Sequence, residues 1–361
     1  MRRIGVLTSG GDCPGLNAVI RSVVRTAYRV YGAEVVGIHD GFCGLLPNGT
    51  TTTFTLSDVR DLLVQGGTVL GTTNRGPFGV GPDGDPLPSD EENFRLAVRQ
   101  SRWLGLDCLV AVGGDGSLRI GRVLQQMGLD VVGVPKTIDN DIAATERTFG
   151  FDTAVSVAAE ALDRLHTVAQ AHHRIMVCEV MGRWAGWIAL HAGLASGADA
   201  VLIPEIHFDW DSLARMVLER RARGRNYSLI VVAEGACAVD GVPVFQAPGR
   251  LSGIGNVVAE ELSRRTGVET RVTVLGHVQR GGTPTAYDRV LATRFGEAAV
   301  HLAASGGFGR MVALRGGEII DVSLDEALSC CKSVPPDGQM VRMARNIGVC
   351  FGDDPIADNG K

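Results

Sequence analysis

The sequence lacks the features of a membrane protein, a secreted disulfide scaffold or a nucleic-acid-binding protein. Its N-terminus, MRRIGVLTSGGDCPG, has no apolar signal-peptide core, and no segment approaches the ~18 consecutive apolar residues of a membrane span. The net charge of −5 provides no basic field for nucleic acid or an anionic membrane. None of the eight cysteines forms a C-x-x-C pair, which argues against zinc and against a disulfide framework. These absences predict a soluble, reduced, cytoplasmic protein without nucleic-acid or membrane partners.

Aromatic residues are also scarce, at 5%, whereas glycine is plentiful at 48 residues. This combination is typical of an α/β protein with many tight strand-to-helix turns. The apolar fraction of 45% indicates a substantial core, and 361 residues favour two domains over one.

Short β-rich runs alternate with longer helical patterns along the chain. The run RIGVLTS precedes a helix predicted over 16–30, and later helices are predicted over 91–104 and 118–127. Such alternation predicts mainly parallel sheets with helices on both faces, in which ligands bind at the carboxyl ends of the strands. The further predicted strands are AEVVGI, DCLVAV, DVVGV, RIMVCEV, AVLIP, SLIVVAEG and RVTVL. The Pro/Gly/Asp-rich segment 76–90 is predicted to be an exposed loop or lid, and the last thirty or so residues show no assignable pattern.

Two glycine turns each connect a predicted strand to a helix. LTSGGDCPG follows the first strand, and AVGGDGS follows DCLVAV. Glycines at a helix N-terminus leave backbone N–H groups open to a phosphate, although a single such turn is equally well explained as a tight connection. Because a carboxylate there would repel phosphate unless it held a cation, Asp115 is a candidate Mg²⁺ ligand. Neither turn matches the Walker or the G-x-G-x-x-G pattern.

Polar residues crowd the end of the strand in VGVPKTIDNDI, where Lys136, Thr137, Asp139 and Asp141 follow one another closely. A carboxylate in this position can take the proton from a hydroxyl that attacks phosphorus. Two aspartates two residues apart in an extended segment would point the same way, one acting as base and the other orienting it or helping to hold the metal. The alternative is an Asx-turn with a capping acid for the next helix.

Cations flank two later strands, in HHRIMVCEVMGRWAG and RVTVLGHVQRGG. Arginine matches phosphate oxygens with its planar fork, and histidine adds a donor that titrates near neutrality. The residues concerned are Arg174, Arg183, Arg271, His277 and Arg280. Solvated ion pairs are the alternative explanation. Glu234 ends another strand and could accept hydrogen bonds from a sugar, or be a plain surface acid. Together these residues indicate Mg²⁺-dependent phosphoryl transfer to a phosphorylated, hydroxyl-rich acceptor that the pattern alone does not name.

The motifs resemble those of the phosphofructokinase family. GVLTSGGDCPGLNAVIR, GGDGS, PKTIDNDI, EVMGRWAGW and VLGHVQRGGTPTAYDR occur in the family's order, and the similarity extends from about residue 3 to about residue 315. The resemblance implies Mg²⁺-dependent transfer of a phosphoryl group to the 1-hydroxyl of fructose 6-phosphate, giving fructose 1,6-bisphosphate, with ATP or pyrophosphate as donor. It also implies a homotetramer whose subunits have two doubly wound lobes with the active site in the cleft between them. A nucleotide and Mg²⁺ lobe would comprise 1–150 and 279–329, and a sugar-phosphate lobe 151–278 and 330–361.

The resemblance also implies roles for individual residues. The catalytic set is Asp139 as general base with Thr137, Asp141, Arg183 and Lys136. The donor's phosphates would contact Gly11, Arg75, Gly114, Asp115, Gly116 and Ser117, with Asp115 on Mg²⁺. The sugar would contact Thr137, Asp139, Met181, Gly182, Arg183 and Glu234, and its 6-phosphate would contact Arg174, Arg271, His277 and Arg280. In the family, the residues matching Arg174 and Arg271 reach across from a neighbouring subunit.

The donor residues combine two signatures of the family. Gly116 is the small residue of ATP users, because a carboxylate there would intrude on the α-phosphate, whereas Lys136 is typical of enzymes that use pyrophosphate. Steric exclusion is the harder constraint, so we expect ATP; the alternative is a pyrophosphate-dependent fructose 6-phosphate 1-phosphotransferase. A lysine beside an Mg·ATP donor can still act on developing charge.

Regulation and rival functions remain open at this point. Arg21, Arg25 and Asp199 match positions that bind nucleotide effectors in bacterial relatives, although a solvated helix face explains the two arginines almost as well. The GGDGS turn also resembles that of NAD kinases and lipid kinases, which lack the TIDND and GHVQRGG segments. A catalytically silent subunit would have lost Asp115 or Asp139, and both are present. Sedoheptulose 7-phosphate is an open alternative acceptor.

Overall fold

The computed structural model describes residues 1–74, 76–247 and 250–353. The chain divides into two compact units. The first unit comprises Met1–Ile138, Ile142–Thr153 and Arg280–Cys331. The second unit comprises Asp139–Asp141, Ala154–Gln279 and Lys332–Lys361.

The elements alternate as the sequence predicts. The strands are β1 (Arg3–Ser9), β2 (Glu34–Ile38), β3 (Thr51–Phe54), β4 (Cys108–Gly113), β5 (Val131–Thr137), β6 (Phe149–Gly150), β7 (Ile175–Val180), β8 (Ala200–Leu202), β9 (Ser228–Ala233), β10 (Phe245–Ala247), β11 (Arg250–Leu251), β12 (Thr270–Val274), β13 (Arg310–Arg315) and β14 (Glu318–Ser323). The α-helices are α1 (Leu16–Tyr31), α2 (Glu91–Trp103), α3 (Asp115–Gln126), α4 (Phe151–His172), α5 (Trp187–Ala195), α6 (Trp210–Ala222), α7 (Ile254–Thr266), α8 (Ala286–Ala304), α9 (Leu324–Ala327) and α10 (Gln339–Asn346). Short 3₁₀ helices cover Gly41–Leu45, Leu62–Val64 and Gly276–Arg280.

The first unit is built on a sheet with strand order β14-β13-β5-β4-β1-β2-β3, with β6 paired to β5. Only β3 and β14 run antiparallel to their neighbours in this sheet. Helices α2 and α3 pack on one face through a buried cluster that includes Phe94, Val123 and Leu109. Helices α1 and α8 pack closely against each other, because Gly296 leaves room for the backbone at Val19.

The second unit has a four-stranded, all-parallel sheet of order β12-β7-β9-β8. Its buried core joins the strands to α6 and α7 through residues such as Val177, Ile230, Leu213 and Val258. The predicted α/β class with mainly parallel sheets is confirmed. Along the described parts of the chain, no helix has the length and apolarity needed to cross a bilayer.

Two sequence predictions are corrected by the structure. The segment 76–90 contains no helix or strand, but it is not simply an exposed loop, because Phe78 is buried against Phe42 and Phe94. The third helix begins at Asp115 rather than at residue 118, so that Asp115, Gly116 and Ser117 form its first turn. The C-terminal part without an assignable pattern contains α10.

Candidate active site

The two glycine turns lie side by side at one edge of the first unit's sheet. Strands β1 and β4 run parallel with Ser9 opposite Gly113, so both turns leave the sheet at the carboxyl ends of neighbouring strands. The left-handed backbone at Gly10, with φ of 82°, begins the first turn, and the Ser117 side chain of the second turn packs against it. This adjacency gives one edge of the sheet two sets of backbone amides, a suitable arrangement for a chain of phosphates.

The first turn is contacted by Arg280, which the sequence places far away. Arg280 Nη1 donates a hydrogen bond of 3.1 Å to the carbonyl of Asp12. A Cβ added at Gly11 would lie 2.6 Å from the same nitrogen, so only glycine allows this close approach. In this subunit the guanidinium therefore lies at the predicted donor turn, and its predicted role on the sugar's 6-phosphate stays a prediction.

The second turn begins helix α3 and presents the candidate metal ligand. The Asp115 side chain is 52% exposed and accepts a hydrogen bond of 3.1 Å from Arg119 Nε, one helical turn later. Gly114, which contributes the helix N-cap, is extended, and Ser117 is buried. A Cβ added at Gly116 would meet no atom within 4 Å. The turn therefore leaves open space at residue 116.

Lys136 is the second-last residue of β5 and is buried, with 2% of its surface exposed. Its Nζ donates a hydrogen bond to the carbonyl of Gly11 in the first glycine turn. The next residue, Thr137, is also buried, and its carbonyl accepts a hydrogen bond of 2.7 Å from Thr148 Oγ1. The lysine that the sequence places beside the acids is thus directed at the turn where a donor's phosphate is expected.

The acidic segment Asp139–Asp141 belongs to the second unit. Asp139 is 3% exposed and Asp141 is half-buried. Between them Asn140 has a left-handed backbone with φ of 54°. The prediction of an extended segment is therefore wrong, since a left-handed residue interrupts the alternation of an extended chain, while the convergence of the two carboxylates stays a prediction.

Three neighbouring parallel strands of the second unit end in candidate sugar ligands. Strand β7 is followed by Met181, Gly182 and Arg183, β9 by Glu234, and β12 by His277. Glu234 is 8% exposed, and its Oε1 accepts hydrogen bonds from the backbone amides of Gly182 (3.3 Å) and Arg183 (2.9 Å). The alternative of a plain surface acid is wrong, because Glu234 fixes the backbone that carries Arg183, whose φ is 51°.

Arg174 and Arg271 lie at the opposite, amino ends of β7 and β12. Both contact Glu269: Arg174 Nε donates to Glu269 Oε2 over 2.6 Å, and Arg271 pairs with the other carboxylate oxygen. The hydrogen bond from Arg174, with the charges of both arginines, lowers the pKa of Glu269. Glu269 was not among the predicted site residues, although an acid two residues before Arg271 was a signal for it.

The candidate effector residues are engaged in different ways. Arg21 is half-buried on α1, where burial and the neighbouring charge of Arg25 lower its pKa. Asp199 accepts hydrogen bonds from Arg220 Nη2 (2.6 Å) and the Leu229 amide (2.9 Å). Burial raises the pKa of Asp199. Asp199 therefore already has a cationic partner.

Arg75, which was predicted to contact the donor's phosphates, lies outside the described residues.

The comparisons with known proteins identify the family. Residues 3–303 match the family model for phosphofructokinase. This chain belongs to the phosphofructokinase family. The ATP-dependent 6-phosphofructokinase of Chloroflexus aggregans is 54% identical over 353 residues, which cover 98% of each chain. The pyrophosphate–fructose 6-phosphate 1-phosphotransferase of Amycolatopsis methanolica is 50% identical over 342 residues, covering 93% of this chain and 97% of that one.

Solved phosphofructokinases share the fold. The phosphofructokinase of Saccharomyces cerevisiae matches with a TM-score of 0.81 and 34% identity over 91% of this chain. The matched part is 45% of the yeast chain, so this chain spans less than half of that relative. The family predicted from the sequence motifs is confirmed.

Proposed function

We propose that this protein is an ATP-dependent 6-phosphofructokinase, transferring a phosphoryl group to the 1-hydroxyl of fructose 6-phosphate to give fructose 1,6-bisphosphate and ADP. The observation that carries this proposal is 54% identity, over 98% of both chains, to a protein of that name. The backbone amides of the glycine turns, the buried Asp139 and the arginines described above are groups that such a reaction would use, which supports the proposal.

The donor's phosphates would bind at the two adjacent glycine turns of the first unit. Gly11, Gly114, Gly116 and Ser117 offer backbone amides or a hydroxyl there, and Lys136 adds a cation directed at Gly11. This charge would stabilise the negative oxygens of the transferred group. Arg280, which contacts the same turn, is a further candidate for this role.

The proposed Mg²⁺ fits the residues at the second turn. Asp115 has exposed carboxylate oxygens at a helix N-terminus. Within 1–74, 76–247 and 250–353, no three His, Cys, Asp or Glu side chains are grouped to hold a metal ion. Magnesium is commonly held by one or two carboxylates together with substrate phosphates, which matches a single acid beside a phosphate site. When bound, Mg²⁺ would neutralise charge on the donor's phosphates.

The acceptor would bind at the acidic segment after β5 and at the residues that follow β7 and β9. Asp139 would take the proton from the attacking 1-hydroxyl, with Thr137 and Asp141 orienting the base and the hydroxyl. Glu234 would hold Gly182 and Arg183 in place through their amides, while Met181 and Arg183 contact the sugar. Fixing the backbone by a buried carboxylate limits the positions that the Arg183 guanidinium can reach.

We also propose that the active site is shared between copies of the chain, within a homotetramer. Arg183 and His277 follow the carboxyl ends of β7 and β12, whereas Arg174 and Arg271 lie at their amino ends. Strand β7 has six residues, so its ends are roughly 20 Å apart at about 3.3 Å per residue. One sugar phosphate does not span that distance, which supports a second copy as the source of Arg174 and Arg271. Regulation through Arg21, Arg25 and Asp199 and a cytoplasmic location stay predictions.

ATP is favoured over pyrophosphate by the open space at Gly116. Initial rates with fructose 6-phosphate and Mg²⁺, measured in parallel with ATP, ADP and pyrophosphate, test the proposal directly. We expect turnover with ATP and little with the other two donors, and none after chelation of Mg²⁺. A preference for pyrophosphate would contradict the choice of donor, and inactivity with all three would contradict the proposed reaction.

The proposed base has a test of its own. Asp139→Asn should lower kcat by about 10²–10⁴-fold, the usual contribution of a positioned general base, because an amide cannot take the proton. The matched control is Asp240→Asn, which removes an exposed acid of the second unit and should leave kcat unchanged. Full activity of the Asp139 variant would remove this residue from the mechanism.

A further inference from the structure

Lys332 holds the segment that carries the two acids. Its backbone amide donates a hydrogen bond of 2.8 Å to the carbonyl of Asp141, and the preceding Cys331 pairs with Ile142 in an antiparallel bridge. Its side-chain Nζ donates a hydrogen bond of 2.9 Å to Asn140 Oδ1. The main chain of Lys332 therefore bonds to Asp141 and its side chain bonds to Asn140, although 192 positions separate Lys332 from Asn140.

Trp187 in turn fixes Lys332 from the other side. The indole Nε1–H donates a hydrogen bond of 2.8 Å to the Lys332 carbonyl. The Lys332 Nζ lies 5.8 Å from the centre of the indole ring, within the range of a cation–π interaction. The ammonium group thus contacts both an aromatic face and the amide oxygen of Asn140.

Asn140 is the residue at which such support matters most. Its left-handed backbone, with φ of 54°, is unfavourable for most residues and is tolerated best by glycine and asparagine. Because Asn140 stands between Asp139 and Asp141, its conformation determines the directions in which both carboxylates leave the chain. A shift of this one residue would redirect both acids together.

Lysine, the residue at position 332, is rare in this chain. Among 35 Lys and Arg residues only Lys136, Lys332 and Lys361 are lysines. Two of the three make side-chain hydrogen bonds near the candidate site: Lys136 donates to the Gly11 carbonyl, and Lys332 donates to Asn140 Oδ1. Lysine presents a compact point charge on a slim stem, which suits a single oxygen acceptor beside a ring.

We infer that Lys332 is a positioning residue for the reaction proposed above, setting the orientation of Asp139 and Asp141 through its hydrogen bond to Asn140. The inference depends on the proposed role of Asp139 as base. Lys332 itself need not contact substrate. It would act on kcat, since misplacing a catalytic group by about 1 Å can cost on the order of 10²-fold.

Steady-state kinetics of Lys332→Met, Lys332→Arg and Asn140→Gly test the inference. Lys332→Met should lower kcat by about 10- to 100-fold while each KM changes by no more than about twofold. Lys332→Arg should recover most of kcat, because arginine can also donate to Asn140 and stack on the ring. Asn140→Gly keeps the left-handed backbone accessible but removes the acceptor, so it should resemble Lys332→Met.

The double variant Asn140→Gly/Lys332→Met decides whether the two residues act as one unit. We expect its kcat to equal that of either single variant, since each removes the same hydrogen bond. Additive losses, an unchanged kcat in Lys332→Met, or a raised KM alone would overturn the inference. Arg164→Met, which removes the 77%-exposed partner of Glu160, is the control for loss of a cation and should behave as wild type.

Two further outcomes are distinguishable. If the wild-type protein has no activity with any donor, the proposed function fails, independently of Lys332. If Lys332→Met does not fold, Trp187→Phe replaces it, because phenylalanine keeps an aromatic face but removes the donor to the Lys332 carbonyl. A lowered kcat with retained KM in Trp187→Phe supports the inference, and a wild-type kcat overturns it.

Discussion

Gly116→Asp should separate the two phosphoryl donors without disturbing the fold. Residue 116 is the second residue of α3, and a Cβ there would meet no atom within 4 Å. Aspartate is a better helix former than glycine, and a negative charge in the first turn interacts favourably with the helix dipole. We therefore expect the free energy of unfolding to stay the same or rise by about 0.3–1 kcal/mol.

The same substitution should lower the activity with ATP. The new carboxylate would occupy the open space beside the amides of the second glycine turn, where a nucleotide's phosphates are proposed to bind. Two unit charges about 5 Å apart repel each other by roughly 3 kcal/mol at an effective dielectric constant of about 20. A loss of roughly 3 kcal/mol in transition-state stabilisation corresponds to a fall of about 100-fold in kcat/KM for ATP.

The assay compares wild type with Gly116→Asp, Gly116→Asn and Gly116→Ala, measuring kcat/KM for Mg·ATP and for pyrophosphate together with the free energy of unfolding. Asparagine matches aspartate in volume but carries no charge, and alanine adds only the Cβ. If charge dominates, the asparagine variant should lose clearly less activity than the aspartate variant. Equal losses would assign the effect to volume, and unchanged ATP kinetics in Gly116→Asp would refute the reasoning altogether.

Two further predictions concern assembly and pH. Arg271→Met and Asp139→Asn proteins should each be impaired alone at subsaturating fructose 6-phosphate. After subunit exchange, about a quarter of the sites should regain wild-type activity, because a shared site can combine one intact residue from each copy. Mixing without any gain in rate would show that Arg271 and Asp139 do not meet across subunits. Burial raises the pKa of Asp288, whose Oδ2 accepts hydrogen bonds from the amide and hydroxyl of Thr153, from 3.8 to about 6. Because this carboxyl ionises at a lower pH in the unfolded state than in the folded state, the free energy of unfolding should fall by up to about 3 kcal/mol between pH 4 and pH 6–7. Urea unfolding across this range should show a smaller fall for Asp288→Asn. An identical profile would contradict the assignment of this pH dependence to Asp288.

The fold was predictable because its strands are short apolar runs with conspicuous ends. RIGVLTS coincides with β1, and the glycines that follow it end the strand at the residue expected. Helix α3 was predicted to begin three residues late, since its first turn, Asp115, Gly116 and Ser117, carries none of the apolar periodicity that marks a helix. Helix α10 was missed because its eight residues make little more than two turns, too short a stretch for a helical period to be distinguished.

The candidate site was predictable as a set of positions but not as a set of contacts. Residues at the carboxyl ends of parallel strands are brought together by the sheet, so Gly113 and Ser9 could be expected to be neighbours. The contacts of Glu269 with Arg174 and of Lys332 with Asn140 join residues 95 and 192 positions apart. No local pattern contains such pairs.

Lys136 and Gly116, which carry the signatures of different phosphoryl donors, lie at different glycine turns and are physically compatible with each other. Lys136 is buried and bonded to the Gly11 carbonyl of the first glycine turn, where its charge can serve the terminal phosphate of either ATP or pyrophosphate. Gly116 lies in the second turn beside open space, which the proposed nucleotide would occupy. Relatives that are 54% and 50% identical bear names with different donors, and the more similar of the two carries the ATP-dependent name. The local volume and charge at residue 116 agree with that name, while the lysine is compatible with both donors.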